Sequence, residues 1–277
     1  MGCQCHAGSP PTAGKMHTRV YCSRMDIIEL KPRITRESLL AVTERGWRLG
    51  IPAGDNREYR LAQLDDHAGL SRANFIWRAP LTLSLRARVS SPRISGTWGF
   101  GLWNDPFGLA CGPTSNLVRL PTLPQAVWFF SASSRSYLSL RDDRPANGFL
   151  AQVFRSPKGG PWLISALLAF PFAAKSVRHR LSRRIGEDAV GVESNPCTWH
   201  RYEIRWQGEA TEFLVDKHVL LKSTVSPRAP LGLVIWIDNQ YAAFNPRGML
   251  AWGVESYTDE AWLEVEDVRC SPDTTVH

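Results

Sequence analysis

Two neighbouring stretches, LTLSLRARV at residues 81–89 and TWGFGLW at residues 97–103, decide the fold class. In the first, leucine, alanine and valine alternate with threonine, serine and arginine, which is the period-two pattern of a strand with one buried face. In the second, Trp98, Phe100 and Leu102 share one face, and the opposite face carries two glycines and Trp103. Glycines on a strand face leave space above the backbone, so we expect a ligand or another chain to approach there.

Further short strands follow at the spacing of a sandwich with long loops. The chain has 277 residues, 43% of them hydrophobic and 21% charged, which excludes a fully disordered chain. Its Trp, Gly and Pro content favours sheets over long helices. The sequence therefore predicts an all-β sandwich over about residues 46–270, with additional strands at 126–133, 201–206, 212–216, 231–239 and 262–269.

The two ends of the chain lack a core-forming pattern. Residues 1–24 are small, polar and proline-rich, so we expect a disordered extension, and residues 271–277 read as a tail. Residues 25–45 predict an irregular or helical lead-in. A basic start followed by an apolar leader is not visible, which predicts a cytoplasmic protein.

One segment breaks the strand pattern. Residues 161–186 begin with a mostly apolar run and continue into a run of basic residues, which predicts a helical insertion between strands. The apolar part is too short to span a bilayer. The insertion is interpreted either as a lid on the sandwich or as a contact with an anionic membrane. The membrane interpretation involves Leu167, Phe170, Arg178, Arg180, Arg183 and Arg184.

The order of these pieces resembles a known family. An arginine-bearing strand, G-x-W-G-F-G-x-W, a W-H-R-Y-E-I-R-W strand followed by F-L-V-D, and a terminal W-L-E-V-E-D-V-R resemble the concanavalin A-like lectin/glucanase superfamily, and within it the laminarinase-type glycoside hydrolases. The resemblance covers roughly residues 75–270 and implies a jelly-roll sandwich. The matching positions of the strand pair are Trp199, His200, Tyr202, Ile204, Trp206, Phe213, Val215 and Asp216.

The catalytic pattern of that branch is missing. Its retaining enzymes resemble one another in an E-x-D-x-x-E strand, which holds two carboxyl groups about 5 Å apart on one strand face. The corresponding segment here is QAVWFFSAS, and E-x-D-x-x-E occurs nowhere in the chain. The resemblance therefore implies the fold, and it leaves open whether the protein is an enzyme.

The candidate ligand-binding residues combine indole rings with amide, carboxylate and guanidinium groups. Aromatic rings pack on the apolar faces of sugars while planar polar groups bond hydroxyls, so this set suits a carbohydrate cleft. The alternative is that the Trp side chains are core and the polar residues form turns. The set comprises Arg86, Arg88, Trp103, Asn104, Asp105, Trp128, Trp236, Asp238, Asn239 and Gln240.

Asp105 and Asp238 are weak candidates for a catalytic pair, since both lie in register with a ligand-facing Trp. The sequence contains no Walker A loop, G-x-S-x-G elbow, H-E-x-x-H helix or paired C-x-x-C motif, so we expect no cofactor and no metal.

These observations predict that the protein binds a carbohydrate or glycolipid, and they leave open whether it also processes glycosides. The alternative is a non-hydrolytic protein at the membrane periphery that holds an apolar small molecule in its cleft. The net charge of +7 is concentrated near the insertion, which makes an anionic membrane the second expected partner and nucleic acid an unlikely one.

Overall fold

The computed structural model of the chain describes residues 18–22, 28–35, 37–106, 119–157 and 174–272. Strands dominate these residues, together with one α-helix and one short 3₁₀ helix. In chain order the strands are β1 Thr18–Cys22, β2 Ile28–Ile34, β3 Leu39–Val42, β4 Gly46–Ile51, β5 Leu61–Asp65, β6 Leu81–Val89, β7 Thr97–Trp103, β8 Ala126–Ala132, β9 Gly148–Arg155, β10 Gly186–Gly191, β11 His200–Trp206, β12 Thr211–Val215, β13 His218–Ser223, β14 Gly232–Asp238, β15 Gln240–Phe244, β16 Leu250–Val254 and β17 Ala261–Pro272. The 3₁₀ helix is Arg72–Asn74, and the α-helix, α1, is Ala174–Arg184.

Fourteen of the strands form two large antiparallel layers, and a fifteenth connects them. Sheet I has the order β2-β5-β14-β7-β8-β9-β10, and sheet II has the order β3-β4-β17-β6-β11-β12-β13. Strand β1 joins the two layers, because it pairs antiparallel with β2 and parallel with β17. Strands β15 and β16 form a separate two-stranded hairpin.

The hydrophobic core lies between sheet I and sheet II. Strand β6 alternates buried and partly exposed residues along its whole length, as its sequence predicts. Across the two layers, the ring centroids of Phe100 and Tyr202 are 5.1 Å apart, and those of Phe129 and Phe213 are 5.4 Å apart. Each such side chain contributes about 1.5–3 kcal/mol through removal from water. The predicted all-β jelly-roll sandwich is confirmed.

The beginning of the chain differs from the expectation. Residues 18–22, expected in a disordered extension, form β1, and the expected irregular or helical residues 25–45 contain β2 and β3. The reason is tertiary pairing, since β2 adds to the edge of β5 and β3 adds to β4. A local signal existed in β2, where Glu29, Lys31 and Arg33 alternate with Leu30 and Ile34.

The helix of the predicted insertion is present, with residues 158–173 outside the described part of the chain. Helix α1 ends at Arg184, and β10 follows at Gly186. Its buried apolar residues, Val177 and Leu181, are four apart, and Ile185, directly after the helix, continues that spacing. Among the described residues, no helix combines the length and the apolar character needed to cross a membrane.

Candidate functional site

The outer face of sheet I, which points away from the sandwich core, carries an aromatic cluster made of Trp103, Trp128, Phe130 and Trp236. Strand alternation places these side chains together from β7, β8 and β14. The rings of Trp103 and Trp236 are nearly parallel, at 6° and 6.2 Å between centroids, and Trp128 lies 5.7 Å from Trp236. Predicted ligand-binding residues from three strands are thus brought together.

The space above the two glycines of β7 is occupied by this cluster. A Cβ atom added at Gly99 would lie 2.8 Å from Cη2 of Trp236, and one added at Gly101 would lie 2.5 Å from Cβ of Trp128. The expectation that a ligand approaches the backbone here is therefore wrong. The glycines instead admit the tryptophan side chains of the neighbouring strands.

Helix α1 and the hairpin of β15 and β16 cover much of the aromatic cluster. Val177 and Leu181 of the helix belong to the same buried group as Trp128 and Trp236, and Leu250 of the hairpin packs against it. Aromatic rings that are buried in this way act as core, which agrees with the structural interpretation of Trp128 and Trp236.

Arg178 anchors the helix to the loops beneath it. Its side chain is 6% exposed, and its Nη2 lies 2.8 Å from Oδ1 of Asp142. Nε donates to the carbonyl of Phe244 at 3.0 Å, and Nη2 donates to the carbonyl of Ser139 at 3.2 Å. The predicted role of Arg178 as a membrane contact is therefore wrong, because its guanidinium is buried and forms hydrogen bonds and an ion pair within the protein.

The other predicted membrane residues divide into two groups. Arg180, Arg183 and Arg184 are exposed on α1, whereas Leu167 and Phe170 lie outside the described residues.

Asp238 ends β14 in a buried polar site. Oδ1 accepts hydrogen bonds from the Thr97 hydroxyl at 2.7 Å and from the backbone N–H of Gln240 at 3.2 Å, and Oδ2 accepts from the Tyr59 hydroxyl at 3.2 Å. Burial raises the pKa of Asp238 to about 6, and these donors act against the rise. The carboxylate therefore fixes the backbone where the hairpin begins.

Asn239 is a structural residue of the same turn. It is fully buried, its Oδ1 accepts from the backbone N–H of Arg60 at 2.8 Å, and its Nδ2 donates to the carbonyls of Glu58 and Glu255. Every polar atom of this amide has a partner, so it is unavailable to a ligand.

The opposite end of β7 holds the remaining predicted polar residues. The indole N–H of Trp103 donates to Nε2 of His67 at 3.2 Å. The amide of Asn104 bonds the backbone of Gln125 and Leu123, and the carboxylate of Asp105 pairs with Arg119. Asn104 and Asp105 thus shape the loop after β7.

Asp105 and Asp238 lie at opposite ends of the sheet. Trp103 pairs with Gly232, and Thr97 pairs with Asp238, so six residues of strand separate the two ends. At about 3.3 Å per residue this is about 20 Å, whereas even inverting glycosidases hold their carboxyl groups within about 10 Å. The candidate catalytic pair is therefore wrong.

Arg86 and Arg88 belong to the other layer. They lie on the outer face of sheet II, where Arg86 pairs with Glu266 at 3.1 Å and Arg88 pairs with Glu264 at 2.7 Å. Both guanidinium groups also lie over the ring of Trp199. Since the sandwich core separates them from Trp103 and Trp236, they do not join the predicted ligand site.

A buried polar chain that sequence reasoning missed crosses sheet I beside the cluster. The indole N–H of Trp128 donates to Oε1 of Gln152 at 3.3 Å, and Nε2 of Gln152 donates to Oε1 of Glu187 at 3.2 Å. The backbone N–H of Leu140 donates to the other oxygen of Glu187. Burial raises the pKa of Glu187. The only signal for Glu187 in the sequence was the alternation of residues along β10, which places Glu187 and Ala189 on one face.

The hairpin presents a second missed residue, Trp252, which is 62% exposed. Strand alternation puts Trp252 on the same face as Gln240, Phe244 and Leu250, because Ala242 pairs with Trp252 and Gln240 pairs with Val254. We call the exposed pair Trp252 and Gln240 the hairpin face. Diagonal neighbours on two strands stand about 7–8 Å apart, so the indole ring and the amide can reach one ligand.

The hairpin face is held rigidly at its base. The carbonyl of Ala242 accepts from the backbone N–H of Tyr137, and Phe244 donates to the carbonyl of Tyr137, each at 2.9 Å. On the opposite side of the hairpin, the guanidinium of Arg135 lies 4.1 Å from the ring centroid of Tyr241. Such anchoring lowers the entropy that a ligand must offset on binding.

Within the described ranges, no three His, Cys, Asp or Glu side chains group as metal ligands. His67 comes nearest to such chemistry, with Nδ1 at 3.5 Å from Asp66 and 3.7 Å from Asp65.

No family model matches the chain, and no curated protein matches it either. Solved structures similar to the chain include the GlcNAcα1-4Gal-releasing endo-β-galactosidase from Clostridium perfringens, at 11% identity and a TM-score of 0.41 over 87% of this chain and 54% of that one. This chain thus spans about half the length of that enzyme.

Two further structures match over most of their lengths. The laminarinase catalytic domain from Thermotoga maritima MSB8 is 13% identical, with a TM-score of 0.40 over 87% of this chain and 82% of that one. The carbohydrate-binding module CBM66 from Bacillus subtilis is 8% identical, with a TM-score of 0.36 over 84% of this chain and 91% of that one. At this level of similarity, no residue of this chain takes a role from these proteins.

Proposed function

We propose that the protein binds carbohydrate at the hairpin face and does not hydrolyse it. The observation that carries the proposal is the exposure of Trp252, a large indole ring left uncovered beside the amide of Gln240. An aromatic ring packs on the apolar face of a pyranose, and an amide can both donate to and accept from its hydroxyls. Gln240 is the member of the predicted ligand set that supports this site.

Two pairs of carboxylates on the outer face of sheet I are too far apart to hydrolyse a glycoside together. On the outer face of sheet I, Asp238 belongs to β14 and Glu187 belongs to β10, four strands away, which is about 19 Å at the usual strand spacing. Asp65 pairs with Val234, four residues along β14 from Asp238, or about 13 Å. None of these pairs meets the distance that glycoside hydrolysis requires.

The alternative prediction, an apolar small molecule held under the insertion, has less support. Val177 and Leu181 pack directly with the aromatic cluster, so side chains fill the region which that ligand would occupy. A glycolipid remains compatible with the proposal through its sugar headgroup.

The test is a titration of the protein with oligosaccharides of glucose and galactose, followed by calorimetry and tryptophan fluorescence. Trp252→Ala is expected to weaken the best ligand at least about tenfold, or about 1.4 kcal/mol, because the ring contributes most of the apolar contact. Trp252→Phe should restore part of the affinity. Incubation with the same oligosaccharides should release no reducing ends.

A matched control is Trp199→Ala, which removes another partly exposed indole ring from the outer face of sheet II. This variant should bind like the unmodified protein. If Trp252→Ala binds with unchanged affinity, or if Trp199→Ala loses as much, the hairpin face is not the binding site.

A further inference from the structure

Helix α1 carries a row of basic side chains, four of them lysine or arginine, that have no carboxylate partner among the described residues. Lys175, His179, Arg180, Arg183 and Arg184 are all exposed, and α1 contains no acidic residue. None of the lysine or arginine side chains in this row pairs with a described carboxylate, although Arg178 of the same helix does. We call these five residues the basic row.

Many other arginines of the described residues are paired with a nearby carboxylate. Arg48, Arg86 and Arg88 on sheet II each pair with a glutamate of β17, and Arg141 pairs with Asp143. Protein surfaces usually mix positive and negative side chains, which keeps the protein soluble. A row of one sign on a single helix instead creates a local positive potential that attracts anions.

The basic row is continuous with the hairpin. The turn that joins β15 and β16 approaches the first residues of α1 so closely that a Cβ atom at Gly248 would lie 2.6 Å from the backbone nitrogen of Lys175. Gly248 also has a φ of +80°, which favours glycine. The exposed Arg247 extends the positive charge onto this turn. The hairpin turn therefore adjoins the amino-terminal end of the basic row.

The apolar side of α1 is packed inside the protein. Val177, Leu181 and Ile185 are buried in the aromatic cluster, so the helix has no free apolar face to insert between lipids. Binding at the basic row must be electrostatic and solvent-exposed.

Resting on the proposed carbohydrate function, we infer that the ligand is an acidic polysaccharide, with its sugar ring at Trp252 and its carboxylate or sulfate groups along the basic row. A linear chain of sugars with a regular repeat of negative charge matches a row of cations on a helix, where residues four apart are about 6 Å apart. The indole ring and the cations then recognise different parts of one ligand.

The decisive probes are oligogalacturonate and its methyl ester, which share one sugar chain and differ in charge. We expect the acidic form to bind at least about tenfold more tightly than the ester, and to weaken as salt rises from 0.05 to 0.5 M. The charge reversal Arg180→Glu, Arg183→Glu and Arg184→Glu should abolish the preference. The expected loss of affinity for the acidic form is about tenfold or more, because three exposed ion pairs to the ligand are removed.

Two further variants test whether a change in binding comes from the charge of the basic row, from a loss of folding or from the change in net charge. Replacement of the same three arginines by Gln keeps the helix propensity and should reduce the preference without reversing it. The control reverses three exposed arginines outside the row, Arg78, Arg93 and Arg269, with the same change in net charge. It should keep the preference.

Equal affinity for the acid and the ester overturns the inference, as does an equal loss in the control. If neutral oligosaccharides still bind after such a result, the proposed carbohydrate function at the hairpin face stands. If the unmodified protein binds the acid independently of salt, and Trp252→Ala loses all binding, only the inference about acidic polysaccharides is overturned. Tighter binding to phosphatidylserine vesicles or to a single-stranded oligonucleotide, without competition by oligogalacturonate, also overturns it.

Discussion

Asp238 makes the stability of the protein depend on pH in a way that one substitution can isolate. Burial raises its pKa from 3.8 to about 6 in the native state. Because the native pKa lies above the unfolded one, the stabilising contribution of the bound proton is fully present below pH 3.8 and is lost as pH rises through about 6. At about 1.4 kcal/mol per pKa unit, the loss amounts to about 3 kcal/mol.

Asp238→Asn replaces the carboxyl group by an uncharged group of the same shape. The amide oxygen can still accept from Thr97, and the Tyr59 hydroxyl can accept from the amide nitrogen. The variant should therefore resemble the native protein near pH 4 and should be more stable at pH 8, where the native protein carries a buried charge. The expected gain in the free energy of unfolding between these pH values is up to about 3 kcal/mol.

Urea unfolding at intervals from pH 4 to pH 8, followed by circular dichroism, measures this difference directly. Glu209→Gln is the control, because that residue is exposed and its substitution should leave the pH profile unchanged. Tyr59→Phe, which removes one donor to Asp238, should move the transition to higher pH. A difference between Asp238→Asn and the native protein that stays flat across this range would refute the reasoning.

Three other predictions concern the covering of the aromatic cluster. Gly99→Ala places a methyl group 2.5 Å from the backbone oxygen of Phe129 and 2.8 Å from the Trp236 ring, and should cost about 1–3 kcal/mol of stability by overpacking, measured by denaturant titration; unchanged stability would contradict this packing. Arg178→Gln should lower the thermal midpoint by several degrees, because the buried guanidinium holds helix α1 in place. Asp142→Asn should lower it little, because Asp142 is exposed. Equal effects of the two substitutions would contradict the role of Arg178 as a buried anchor. Glu187→Gln should be neutral or stabilising at pH 8 and less favourable at pH 4, since burial raises the pKa of Glu187, and unfolding at the two pH values tests the sign.

Strand character and facing were readable from short-range patterns. LTLSLRARV alternates as predicted, and Trp98, Phe100 and Leu102 of β7 all point into the sandwich core. These features depend on a period of two within a single strand, which the pleat of the backbone imposes regardless of what lies beside it. The sandwich class followed from the number and spacing of such strands, and the jelly-roll topology was what the family resemblance implied.

The composition of the site depended on which strands are neighbours. The alternation of β6 correctly put Arg86 and Arg88 on a polar face, but nothing local to β6 says which sheet it joins. The glycines of β7 looked open for the same reason, since the rings that fill their space come from β8 and β14, distant along the chain. Trp252 went unnoticed because its exposure depends on how the hairpin sits against sheet I.

The sequence by itself determined the helix that follows the apolar run, the absence of an E-x-D-x-x-E strand and seven of the strands, namely β6, β7, β8, β11, β12, β14 and β17. Only the tertiary structure decided that Asp105 and Asp238 stand apart. Asp105 follows β7 and Asp238 ends β14, and each strand carries a ligand-set Trp, yet the two strands run antiparallel, so their carboxyl ends lie at opposite ends of sheet I. Strand direction in a sheet is set by the pairing of distant segments, and a pattern within one segment carries no information about it.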